Sequence, residues 1–263
     1  MACNPLMKVD DLSVRYHNSN AFIRNIAFTL LKGKVFGLAG ESGSGKSSVC
    51  KAILGLLPLG SAEVSGKIEF MGRDILPLSY AERRRINGKD IVFIMQNPMT
   101  AFDPCMKIKK HFTMTLTAHL LCSKKDALHY GGETLKKVGL NDTDKIMGSY
   151  PHQLSGGMLQ RVMIAMAVSL NPVLIIADEP TTSLDAASQM EILKLLRQMM
   201  REYMPAMLFV SHDIQVLSVI SDDIAVMKDG QIVETGRTAQ ILGSPEHPYT
   251  RELITAGLYA GGG

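Results

Sequence analysis

The chain has 263 residues, 46% apolar and 20% charged, so it can fill a sizeable core and wholesale disorder is excluded. Lys plus Arg (28) against Asp plus Glu (25) leaves a net charge of +3, which gives no support for a nucleic-acid binder. Mean hydropathy, at +0.10, is high for a soluble chain, yet the best uncharged stretch, 162–177, is broken by Ser169, Asn171 and Pro172. It falls short of the ~20 apolar residues a membrane span needs. Residues 1–10 carry no basic region followed by an apolar run, so no secretory leader is expected. Cys3, Cys50, Cys105 and Cys122 are scattered without C-x-x-C spacing and are expected to be reduced thiols. The expected class is a soluble cytosolic α/β protein. Its 17 Met and absence of Trp suit soft, repackable contacts.

In chain order, two β-like runs at 8–16 and 25–31 are separated by the polar Asn18, Ser19 and Asn20. A turn at Lys32, Gly33 and Lys34 leads into a short apolar run at 35–39, bounded by glycines as a buried strand should be. Helical spacing over 47–57 stops before Pro58, with Cys50 on its core side. β-like patches follow at 66–71 and 91–95. Residues 97–157 lack β-branched runs and read as mostly helical, with breaks at Pro98, Pro104, Gly131-Gly132, Gly139 and Pro151. A helix from Gly156 puts Leu159, Val162, Met163 and Met166 on one face. A strand at 173–177, a helix at 187–203, a strand at 207–210 and a hairpin of 224–227 with 231–235 across Asp229-Gly230 complete the pattern. Such alternation predicts a mostly parallel sheet with an inserted helical subdomain at 97–157. His111, His119 and His129 stand eight and ten apart, not at metal-pair spacing, and read as surface residues, as does the basic run Arg83-Arg84-Arg85.

Two segments carry chemistry. Gly40-Glu41-Ser42-Gly43-Ser44-Gly45-Lys46-Ser47 fits G-x-x-x-x-G-K-[ST] between a strand and a helix. Its glycines allow backbone N–H groups to turn onto phosphate oxygens at a helix N-terminus, where the dipole favours anions. Lys46 has the reach for the β and γ phosphates, and the Ser47 hydroxyl is a Mg²⁺ ligand in such loops. The second segment, Val173-Leu174-Ile175-Ile176-Ala177-Asp178-Glu179, is an apolar strand ending in two carboxylates. After a phosphate loop, Asp178 suits Mg²⁺ and Glu179 suits polarising an attacking water.

Leu154-Ser155-Gly156-Gly157-Met158-Leu159-Gln160 resembles the signature of ATP-binding-cassette ATPases, and the family's other marks stand in order around it. Gln96 resembles the Q-loop residue, Ser183-Leu184-Asp185 the D-loop, Ser211-His212-Asp213 the switch histidine, and Tyr16 the aromatic that stacks on adenine. The resemblance spans essentially all of 1–263 as a single ATPase domain. It implies a P-loop NTPase core with an N-terminal antiparallel β subdomain. Glu179, His212 and Gln96 would be catalytic. ATP would be held by Tyr16, Gly40, Glu41, Ser42, Gly43, Ser44, Gly45, Lys46, Ser47, Ser48, Asp178 and Asp185, and Mg²⁺ by Ser47, Gln96 and Asp178. It further implies head-to-tail pairing of two cassettes, so that Ser155, Gly156 and Gly157 of one close over ATP held by the other. Hydrolysis then removes those contacts and reopens the pair.

Within the family the chain resembles the importer branch that handles oligopeptides, dipeptides and nickel or metallophore complexes. Met95-Gln96-Asn97-Pro98, Ala101-Phe102-Asp103-Pro104, Tyr150-Pro151 and Pro245-Glu246-His247-Pro248-Tyr249-Thr250-Arg251-Glu252-Leu253 carry this likeness. Met158-Leu159-Gln160 stands where peptide-type members more often have Met-Arg-Gln, and the chain ends soon after Leu253 without a Cys-containing extension. Both departures resemble nickel-type subunits, so nickel or a metal chelate is the leading cargo and a peptide the alternative. The implied partners are a second, different ATPase subunit, two membrane permease subunits and, indirectly, an extracytoplasmic substrate-binding protein, with no nucleic acid. The implied location is the cytoplasmic face of the inner membrane. Phe102 and Pro104 are the candidates for the permease groove. A soluble cassette that remodels ribosomes or DNA is opposed by the lack of a second cassette or long coiled-coil insert, and a non-hydrolysing sensor by intact Glu179 and His212.

Overall fold

Met7, Val9, Leu12 and Val14 of strand β1 (Pro5–Tyr16) are all buried, although the step from Val9 to Leu12 is odd-numbered and breaks the two-residue period. A bulge resolves this. The pairing slips between Val9 and Leu12, where Asp11 takes a φ of 50°, and Leu12 and Val14 return to the buried face. The computed structural model describes residues 5–17, 22–58, 60–182 and 184–260. Cys3, the polar separator at 18–20, Ser183 and Gly261 to Gly263 lie outside the described residues.

Strand β2 (Phe22–Leu31) pairs antiparallel with β1 and buries Ile23, Ile26, Phe28 and Leu30. Strand β3 (Val35–Ala39) is buried at all five positions, as a strand covered on both faces should be. Helix α1 (Lys46–Leu54) ends three residues before the expected Leu57. Gly55 turns left-handed at φ 66° and donates its N–H to the Ala52 carbonyl, while the Leu56 N–H bonds Lys51 O at 2.8 Å, which closes the helix. Strand β4 (Ala62–Phe70) begins earlier than expected because it pairs along β1 as far as Tyr16, opposite Ala62. After β5 (Arg73–Asp74), helix α2 (Tyr80–Ile86) corrects the reading of the basic run. Arg83 is 5% exposed and donates a guanidinium N–H to the Ile53 carbonyl, an acceptor in the last turn of α1.

The chain continues through β6 (Ile91–Ile94), α3 (Pro98–Ala101), α4 (Ile108–His119), α5 (Lys124–Lys137), α6 (Thr143–Gly148) and a 3₁₀ turn at Pro151–Gln153. Helix α7 (Gly156–Ser169), strand β7 (Leu174–Asp178) and helix α8 (Ala186–Tyr203) come next. The last third holds β8 (Ala206–Ser211), α9 (Ile214–Ile220), β9 (Asp223–Lys228), β10 (Gln231–Arg237), α10 (Thr238–Gly243) and α11 (Pro248–Ala260).

These elements form two compact units, one of residues up to Arg84 and from Met204 onward, the other of Arg85–Tyr203. In the first, β2, β1, β4 and β5 make an antiparallel sheet. Beside this sheet in the sequence order, β3 runs parallel to both β8 and β9, and β10 closes an antiparallel hairpin on β9. In the second, β6 and β7 pair in parallel and the helices gather around α7. Leu159, Val162 and Met163 of α7 are buried as expected, and Met166 is half-buried. Gln160, Ile164, Ala165 and Ala167 through Ser169 are buried as well, so the helix is covered nearly all round rather than on one face, as a central helix must be.

Gly131 and Gly132 do not break the chain but lie inside α5, which starts with a capping box between Ser123 and Asp126. A Cβ on Gly131 would stand 2.8 Å from the Phe112 ring and 2.7 Å from Met147 Cε, so glycine here permits close helix packing rather than a turn. His129 is exposed, whereas His111 and His119 are half-buried. Cys50 is fully buried, as expected.

Candidate active site

The first unit supplies a phosphate loop between β3 and α1. Gly40 has a φ of 149°, and a Cβ there would lie 2.3 Å from the Met227 carbonyl oxygen, so only glycine lets the loop leave β3 against the neighbouring strand β9. The N-cap of α1 is Gly45, which has no side chain to cap with, and no acidic residue occupies the first turn. The positive end of the helix dipole is thus left for an anion. Lys46 is 4% exposed, and its ammonium donates to the carbonyls of Gly40 (2.7 Å) and Glu41 (2.8 Å) and to Ser44 Oγ (3.5 Å). A buried cation is held by oxygen acceptors until a better anion arrives.

A cavity of about 430 Å³ adjoins this loop, lined by Tyr16, Phe22, Arg24, Ser48 and the Asp229-Gly230 turn. Half-buried Tyr16 donates its phenol to Ser48 Oγ at 2.7 Å, which fixes the ring at the cavity wall. Ser42 and Gly43 are exposed on the loop and Ser47 is half-buried on the first turn of α1. His212 is exposed at the end of β8, followed at once by the Asp213 cap of α9, whose carboxylate accepts the Gln215 N–H at 2.8 Å.

In the second unit, Asp178 ends β7 at 6% exposure. Glu179 follows with φ 47°, an uncommon conformation for a non-glycine residue, and this turns its carboxylate out of the strand line. One oxygen, Oε2, accepts both the Gln96 side-chain amide (3.2 Å) and the Thr182 hydroxyl (2.9 Å). Gln96 comes from the end of β6, so two parallel strands bring Gln96 and Glu179 together. Thr182 carries no mark in the sequence reading; only this geometry reveals it.

Ser155 caps α7, its Oγ accepting the Met158 N–H at 3.3 Å. Among the described residues, nothing lies within 4 Å of where a Cβ on Gly156 or Gly157 would point. Asp185 spends both carboxylate oxygens on Ser188, taking its N–H at 2.9 Å and its hydroxyl at 2.7 Å at the start of α8. The Ser188 amide and hydroxyl hold the Asp185 carboxyl below its ordinary pKa of 3.8. Phe102, expected at a docking groove, is instead 5% exposed with its ring edge-on to His111 at 5.1 Å between centroids. Pro104 is exposed, and the large apolar side chains that α3 and α4 expose are Met99 and Met114.

A family model described as ABC transporter matches residues 23–182, more than half of the chain. The oligopeptide transport ATP-binding protein OppD of Bacillus subtilis (strain 168) is 42% identical over 255 residues, covering 95% of this chain and 71% of that protein. The metal-staphylopine import system ATP-binding protein CntD of Staphylococcus aureus (strain Mu50 / ATCC 700699) is 43% identical over 235 residues, 89% of this chain and 86% of that protein. The peptidoglycan transport ATP-binding protein YejF of Agrobacterium fabrum is 43% identical over 96% of this chain, which spans 47% of that protein, under half its length. Among solved structures, the dimeric ATP-binding cassette MJ0796 in a post-hydrolysis state bound to ADP and Pi matches with a TM-score of 0.75 and 26% identity, over 88% of this chain and 98% of that one. The chain belongs to the ABC transporter family, and it is an ATPase of the kind that couples ATP hydrolysis to transport.

Proposed function

We propose that this chain is the ATP-hydrolysing subunit of an importer that draws nickel or a metal chelate through a membrane permease. The observation that carries the hydrolytic part is the Gln96 and Thr182 grip on Glu179, which leaves a carboxylate aimed and ready to polarise a water. In this reading the P-loop amides and Lys46 bind the phosphates, and Tyr16 stacks on the base. Ser47, Gln96 and Asp178 are oxygen donors of the hard kind Mg²⁺ takes, and the bound ion offsets phosphate charge. His212 steadies the γ phosphate. Ser155, Gly156 and Gly157 close over the nucleotide of a second, different cassette, and Asp185 stands at the same joint.

No helix among the described residues is long and apolar enough to cross a membrane, which agrees with a subunit that works beside its permease at the cytoplasmic face. Metal-chelate cargo draws support from the 43% identity to CntD and from Met158-Leu159-Gln160 in the signature. Peptide cargo is the second reading, favoured by the 42% identity to OppD. Uptake of labelled nickel(II) and of a labelled dipeptide, compared in a strain deleted for this chain, separates them. Loss of nickel uptake with dipeptide uptake intact is the expected result, and the reverse pattern transfers the assignment to peptides.

A further inference from the structure

The segment from Pro245 to Leu253 marks the branch in the sequence but has no part in the chemistry above. In the fold it is a built turn. Glu234 on β10 receives the Glu246 N–H on one carboxylate oxygen (2.8 Å) and the His247 N–H on the other (3.1 Å). His247 Nδ1 accepts the Tyr249 N–H at 3.2 Å, and Arg251 donates from Nε to the Pro245 carbonyl and from Nη2 to that of Glu246, both at 3.0 Å. These bonds fix the start of α11 and with it Tyr249, which is 3% exposed beneath the Lys228 ammonium, 4.5 Å from the ring centroid.

The Tyr249 oxygen accepts the backbone N–H of Glu41 at 3.1 Å. Glu41 is the second residue of the phosphate loop. Its carbonyl accepts Lys46 Nζ at 2.8 Å and the Ser44 N–H at 3.2 Å. One residue of the loop is therefore held on its amide side by Tyr249 and on its carbonyl side by the loop itself. A second bond to the loop, from the Gly230 N–H to Ser44 O at 3.2 Å, comes from the β9–β10 turn.

We infer that Tyr249 is a positioning residue for ATP binding. Its phenol holds the first turn of the phosphate loop, so that the loop amides are set in their binding geometry before nucleotide arrives. A loop ordered in advance loses less conformational freedom on binding, and affinity gains by the difference. The inference rests on the reading of residues 40–47 as the phosphate site.

The test is a titration of the full-length purified chain with a fluorescent ATP analogue and Mg²⁺, together with steady-state ATPase kinetics. Tyr249→Phe removes one oxygen and keeps the ring. It is expected to raise the Kd and the KM for ATP about two- to tenfold, the worth of one neutral hydrogen bond, with kcat at saturating ATP within about twofold of wild type. Glu234→Gln keeps Tyr249 but replaces one accepting oxygen with an N–H₂ group facing an N–H. It is expected to weaken ATP binding in the same direction, and the double variant to be less than additive. An unchanged Kd in Tyr249→Phe, or a fall in kcat at unchanged KM, overturns the inference. If Tyr249→Phe does not fold, an unchanged Kd in Glu234→Gln overturns it instead. Lys46→Ala, run alongside, separates the two levels. Loss of ATP binding there keeps the phosphate-site reading whatever Tyr249→Phe does, and wild-type binding removes that reading and the inference with it.

Discussion

Glu179 stands one residue past the end of β7 on a left-handed backbone that costs on the order of 1 kcal/mol, and two side chains hold it there. No sequence rule specifies that φ; the Asp178-Glu179 pair was legible, but the turn that aims it was not. At the same scale Glu234 makes a pH prediction. Burial acts to raise its carboxyl, but the Thr250 hydroxyl beside it, the amides of Glu246 and His247, and the charge of His247 outweigh burial and hold it below its ordinary 4.5. A carboxylate with a depressed folded pKa contributes stability that is fully present above about 4.5 and is lost as pH falls through the folded value. Melting curves should therefore show wild type losing its advantage over Glu234→Gln below about pH 4.5 and keeping a constant gap above it. A gap that persists unchanged to pH 2 contradicts this.

The elements divide into those whose signal is local and those whose signal is not. Strands β3, β7 and β8 read from the sequence because strands covered on both faces appear as unbroken apolar runs. Gly131 reads as part of a break because its reason lies elsewhere in the chain, on Phe112 and Met147. Arg83 reads as a solvated charge because its partner is the Ile53 carbonyl, 30 residues earlier. Tyr249 is the extreme case, 208 residues from Glu41. Adjacent glycines in one helix give a clean contrast. Gly131→Ala should destabilise by about 1–2 kcal/mol, crowding outweighing the gain in helix propensity. Among the described residues Gly132→Ala meets nothing within 4 Å, and it should stabilise by up to about 1 kcal/mol. Denaturant midpoints at constant slope measure both, and a stabilised Gly131→Ala denies the close packing.

Over the whole molecule, the mean hydropathy of +0.10 finds a concrete home. The uncharged stretch at 162–177 is a central helix running into a fully buried strand, not a failed membrane span. Methionine divides between core positions such as Met7, Met207 and Met227 and exposed ones such as Met99, Met114 and Met190, the latter available to a partner of mixed surface. The family was legible at this scale because its motifs are short and ordered along the chain, whereas the cargo is hinted at only by small departures such as Met158-Leu159-Gln160 in the signature. The central claim, hydrolysis centred on Glu179, is tested most directly by phosphate release from the purified chain with Mg²⁺ and saturating ATP, wild type against Glu179→Gln. Release should fall by about 10²- to 10⁴-fold in the variant while ATP still binds, and equal rates would contradict it.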